Sequence, residues 1–199
     1  MKNKLTIIFG IILLLIGIIL SVFFKQPHYY TFFSIGAFLI LLTIYNSFAK
    51  NKLFNKWKFN QYFLFIMIMI ILSIILDKIG ISSNYWTYKY NSIFDEILKY
   101  VFEWALAMTY IMISLLIGFE ILKKKINTNL ALIISLLIFV TAIGFLTEYL
   151  NHFSNSWIIL KMPITNYNIN GYFIIFQTIG YWSMSLITFF IYKKIEKIK

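Results

Sequence analysis

Long apolar runs divided by short polar segments make up most of the chain. Six of them, at about 5–24, 30–48, 59–76, 100–122, 130–147 and 171–192, approach or exceed the length of a bilayer crossing. A helix needs ~20 apolar residues to cross ~30 Å of hydrocarbon. Backbone groups in lipid must bond within their own segment, so runs of this kind form helices. None alternates apolar and polar residues as the strands of a membrane barrel do. The pattern predicts an all-α fold: a polytopic integral membrane bundle of six transmembrane helices forming one domain over 1–199. The first run follows Lys2 and Lys4, but its apolar core is longer than a signal peptide's, and Phe23-Phe24-Lys25 lacks a small-residue cleavage site. It is expected to remain as the first helix.

Two of the polar segments correspond. Asp77-Lys-Ile-Gly-Ile-Ser-Ser-Asn-Tyr-Trp86 and Glu148-Tyr-Leu-Asn-His-Phe-Ser-Asn-Ser-Trp157 each put a carboxylate at the end of an apolar run. In both, a Ser-Asn pair follows six and seven residues later and a Trp nine residues later. Asp77 and Glu148, Asn84 and Asn155, and Trp86 and Trp157 are all seventy-one residues apart. Such self-similarity predicts an internal helix–loop–helix repeat, with units at about 59–122 and 130–193.

Charge orients the bundle. All 18 basic residues are Lys, and thirteen fall at the N-terminus, in the second and fourth connections and at the C-terminus. With six spans these share one side, so both termini are expected in the cytoplasm of a cell-membrane protein. Asp77, Asp95, Glu96, Glu103 and Glu148 gather at the other side, with the two repeated loops. The absence of Arg, the usual reader of phosphate and base edges, argues against nucleic acid as a partner despite the net charge of +11. The expected partner is membrane lipid, with an apolar lipid as candidate substrate. The absence of Cys removes disulfides and thiolate chemistry.

Glu103 stands about one turn into the fourth run, where a carboxylate is costly unless it faces protein or water. A gapped comparison of the units sets Gln177 opposite it, so the units would differ chemically. Asp77 and Glu148 read either as solvated helix ends or as site acids. Glu148 and His152, four apart, suit a hydrogen-bonded pair better than a metal site, and neither a metal nor a cofactor is expected. Asn84, Asn155, Trp157 and Gln177 are further candidate substrate contacts on the same face. Gly10, Gly17 and Gly36 suit close helix packing.

The series Asp77, Trp86-Thr-Tyr88 and Phe102-Glu103 resembles the lycopene cyclase domain of carotenoid pathways, over roughly residues 60–190. That family has an acid ending one helix, a Trp-x-Tyr in the next loop and a Pro-x-Glu-Glu opening the following helix. Here Val101 stands in place of the Pro and Trp104 in place of the second Glu. The resemblance implies redox-neutral cyclisation of a polyene end group. Glu103 would be the proton donor and Trp86, Tyr88 and Trp104 an aromatic wall for the cation, with Asp77 or Glu148 as base or positioning group. A proton-linked or small-solute carrier and a non-catalytic membrane subunit are the alternative expectations.

Overall fold

The computed structural model describes residues 2–89, 92–161 and 174–198, and the side chains of these except Lys2 and 174–179. The fold is mostly helical. Helices α1 (Lys2–Val22), α2 (Tyr29–Phe48) and α3 (Phe59–Ser82) are followed by a strand, β1 (Trp86–Tyr88). Helix α4 covers Ile93–Leu122 and α5 covers Thr128–Ser154. Strand β2 (Trp157–Ile159) and helix α6 (Ile174–Glu196) complete the order. Among the described residues, α1 to α5 are long and apolar enough to cross a membrane.

Burial sorts the helices. The most apolar stretch of α4 is 72% buried and that of α1 only 17%. Helix α4 is therefore the axis, with Tyr110, Ile111, Met112, Ile113 and Leu115 fully enclosed. Helix α1 turns Ile8, Phe9, Ile12, Leu15 and Ile19 outward, as a surface solvated by lipid tails permits. It lies close against α2 because of glycines on both helices: a Cβ on Gly36 of α2 would fall 2.6 Å from the Leu14 nitrogen, and one on Gly17 of α1 2.8 Å from the Phe33 nitrogen. Small residues at such crossings let backbones approach.

Three helices are longer than the apolar runs suggest. Helix α3 continues to Ser82, α4 begins at Ile93 and α5 continues to Ser154. Ser92 opens α4 with a capping box: its Oγ accepts from the Asp95 N–H at 3.1 Å while Asp95 Oδ2 accepts from the Ser92 N–H at 2.9 Å. At 1.5 Å per residue α4 is about 45 Å long, more than the hydrocarbon needs. Asp77, Glu103 and Glu148 consequently lie inside helices rather than at their ends.

After α3 and after α5 the chain turns on Asn84 (φ 54°) and Asn155 (φ 51°), both left-handed, a conformation Asn tolerates better than most residues. Each turn leads into a short strand, and the strands pair antiparallel: Trp86 with Ile159, Thr87 with Ile158, Tyr88 with Trp157. Thr87 and Ile158 are also seventy-one apart, so the ladder centres on corresponding positions. Side chains alternate along a strand. Thr87 and Ile158 therefore face out, while Trp86, Tyr88 and Trp157 turn toward the helices, half-buried.

The α1–α2 hairpin docks on the second of these loops. Ser156 Oγ donates to the Pro27 carbonyl at 2.7 Å, and Tyr29 OH donates to the Thr147 carbonyl at 3.3 Å.

Gly80 supplies a direct test of this arrangement. A Cβ there would fall 1.9 Å from Cζ2 of Trp86, so the indole lies flat on α3 only because position 80 has no side chain. Gly80→Ala should displace Trp86 and destabilise the fold by about 1–3 kcal/mol, the usual cost of overpacking. Thermal unfolding in detergent would register the loss, and Trp emission the displacement.

Candidate functional site

Asp77 is the most densely partnered side chain of the candidate set. It is fully buried. Oδ1 accepts from Trp86 Nε1 at 2.9 Å and from Tyr88 OH at 2.7 Å. Oδ2 accepts from Tyr100 OH at 2.8 Å and pairs with Lys99 Nζ at 3.1 Å. The spacing of the repeated segment explains two of these bonds. Five residues finish the helix after Asp77, Asn84 reverses the chain, and the strand returns the indole N–H to the acid. The x of Trp-x-Tyr points away, so both ring donors arrive together.

A second layer surrounds this centre. Lys99 Nζ lies 4.1 Å from the ring centroid of Tyr88 and 4.6 Å from that of Tyr100, inside the range of cation–π attraction. Trp104 Nε1 donates to Tyr88 OH at 3.0 Å, and the Trp86 and Trp104 rings are 6.0 Å apart. Lys99, Tyr100, Glu103 and Trp104 share one π-helical segment, Lys99–Trp104. Such wide turns are rare inside α-helices and frequent at functional sites.

Glu148, on α5, forms a different centre. Its Oε2 accepts from Trp157 Nε1 at 3.2 Å and its Oε1 from Tyr181 OH at 2.8 Å. Acid and indole are again nine residues apart, but no described lysine pairs with Glu148. The indole also packs differently. Asn151 stands at the position corresponding to Gly80 and binds the Trp157 backbone, its Nδ2 donating to the carbonyl at 2.8 Å. The Trp157 ring lies instead 5.1 Å from Tyr30 and 6.4 Å from Tyr29.

Glu103 is bonded from helix α2. It is 1% exposed, and Thr31 Oγ1 on α2 donates to its Oε1 at 3.0 Å. The neighbouring Tyr30 bonds Tyr110 through their hydroxyls at 2.7 Å, and Tyr110 bonds Thr147 Oγ1 at 3.1 Å. Helix α2 thus contacts both Glu103 and the Glu148 centre.

Several expectations from the sequence change here. Asp77 and Glu148 are not solvated helix ends; both are buried, because the returning loops supply their donors. Glu148 does not pair with His152, which is exposed with its ring against Phe153. Among the described residues no group of three His, Asp or Glu could hold a metal ion. Asn84 and Asn155 are exposed, with their left-handed backbones ending α3 and α5. The side chain of Gln177 lies outside the described residues. Lys99, Tyr100, Thr31, Tyr30 and Tyr181 were absent from the sequence-derived set. The signal for the first two was Ser92-x-x-Asp95, which starts α4 early enough to place Lys99 inside it.

No protein-family model, curated protein or solved structure matches this chain.

The Asp77–Lys99 pair can be tested by removing one partner at a time. Lys99→Met leaves an uncompensated buried carboxylate and should cost about 3–5 kcal/mol. Adding Asp77→Asn to that variant should restore part of the loss. The resulting non-additivity, read from thermal or denaturant unfolding of the two single variants and the double, measures the coupling.

Proposed function

We propose that this protein is an integral membrane enzyme of lycopene cyclase type, acting on an isoprenoid or similarly apolar lipid by proton transfer. The observation that carries the reading is Glu103: a carboxyl group 1% exposed, on a π-helical turn of the central helix, accepting a hydrogen bond from the Thr31 hydroxyl. Acid-initiated cyclisation of a polyene requires a proton donor sheltered from water, and rings nearby to stabilise the cation. Trp104, on the same turn as Glu103, and Trp86 and Tyr88 beside it supply aromatic faces. Asp77, bonded by Trp86, Tyr88, Tyr100 and Lys99, holds the aromatic wall in place in this reaction. Glu148, held by two neutral donors, is the stronger candidate for the base.

The reading includes six membrane-spanning helices, both termini in the cytoplasm and two related units at about 59–122 and 130–193. Three correspondences support the duplication. Asn84 and Asn155 both adopt the left-handed conformation, Trp86 and Trp157 both donate to the acid nine residues earlier, and the β1–β2 ladder centres on Thr87 and Ile158. Helix α6 and the lysine asymmetry support the even number of spans.

Co-expression with a lycopene-producing pathway tests the activity, with pigments resolved by chromatography. Wild-type protein should convert red pigment to yellow cyclised product. Glu103→Gln, present at the same level, should lower conversion by about 10²–10⁴-fold, the usual worth of a general acid. Unchanged pigment with well-expressed wild-type protein would remove lycopene as substrate, and full activity of Glu103→Gln would remove its role as the acid. Because the chain has no Cys, single cysteines can report topology. One replacing Asn51 should react only from the cytoplasm, and one replacing Lys89 only from outside.

A further inference from the structure

We propose that Lys99 is a covalent capture site for a lipophilic aldehyde, which it holds as a protonated imine with Asp77 as counter-ion. Among the described residues Lys99 is the one lysine that is buried, at 4% exposure, and it lies inside the Ile93–Leu122 span. An ionisable group there marks a functional position by default. Packing alone does not call for it, since an apolar pair of similar volume serves a helical interior as well or better. A buried lysine amine is also the side chain that forms Schiff bases with carbonyl compounds.

The surroundings suit a cation that must persist through a change in its covalent structure. Asp77 Oδ2 is 3.1 Å from Nζ, and the Tyr88 and Tyr100 ring centroids are 4.1 and 4.6 Å away. The Asp77 carboxylate is itself fixed by Trp86, Tyr88 and Tyr100, so it keeps its place whatever the nitrogen carries. An iminium has the same charge as the ammonium it replaces, and the same carboxylate and ring faces serve both.

The chemistry closes without an outside oxidant or reductant. Asp77 accepts a proton from the ammonium of Lys99. The freed amine attacks the aldehyde carbon, forming the C–N bond as one N–H proton passes to the carbonyl oxygen. Asp77 returns its proton to that hydroxyl, the C–O bond breaks and water leaves. The net change is aldehyde plus ammonium to iminium plus water. Lipophilic aldehydes are favoured by position. Tyr88 over the amine is half-buried, as are Trp86, bonded to Asp77, and Trp104, bonded to Tyr88. Phe102 in the same π-helical segment is 38% exposed, on a helix long and apolar enough to lie in lipid.

The experiment uses the detergent-solubilised full chain with farnesal or hexadecanal, borohydride reduction and mass-spectrometric mapping of all 18 lysines. Acetaldehyde is the water-soluble contrast. Lys99 should carry the reduced adduct of the long aldehydes on the order of tenfold or more above any other lysine, the benefit of a fixed geometry. Heat-denatured protein should lose that preference, and acetaldehyde should mark exposed lysines instead. Lys99→Arg, checked for folding by its melt, should lose the dominant adduct. Labelling confined to exposed lysines, or equal at Lys99 in folded and denatured protein, overturns the proposal. The adduct is read without reference to cyclisation, so failure of the Glu103 reading leaves this result interpretable, and the reverse.

Discussion

A carboxylate inside an apolar helical bundle is tolerated only when its oxygens are occupied, and this requirement organises the end of the molecule where β1 and β2 pair. Asp77 and Glu148 sit on separate helices, and for each the main answer is the loop that follows. The left-handed asparagines reverse the chain within a few residues of the acid, and the strands bring indole N–H groups back to the carboxylates. The helices, turns and strands of the two segments follow from that single need.

The two centres satisfy it with different chemistry. Asp77 has a cation and three neutral donors, while Glu148 has the indole of Trp157 and the phenol of Tyr181. Glycine at position 80 lets one indole lie on its own helix; asparagine at 151 binds the backbone of the other loop, and that indole rests on the tyrosines of α2. Helix α2 carries neither of the two acid-to-tryptophan segments, yet it supplies Thr31 to Glu103 and Tyr30 to the Trp157 ring. The N-terminal hairpin is thus part of the polar interior, although α1 presents mostly apolar surface to its surroundings.

The apolar runs made the helices and their order legible, because length and composition decide which segments can cross lipid. The nine-residue spacing from acid to tryptophan was legible as a recurrence, although its cause, an indole folded back onto the acid, needed coordinates. The helix ends were misjudged for one physical reason. Asp77 and Glu148 look like termini when charge is read along the chain, but donors that arrive through space let the helices continue past them. Lys99 was hidden by the same logic, since Asp77 and Tyr88, which hold its amine, lie 22 and 11 positions away in sequence. Thr31 had no local signal at all, since its partner Glu103 lies 72 positions along the chain.

The three-residue ladder between the loops has an implication for how these segments can vary. Neighbouring strand positions face opposite ways, so inserting a single residue between Asn84 and Trp86 would turn both of that strand's rings from the interior to the surroundings and strip Asp77 of two donors at once. Changes at Thr87 or Ile158, which face outward, leave that alternation intact. Loop length here is a stricter constraint than side-chain identity at the tips.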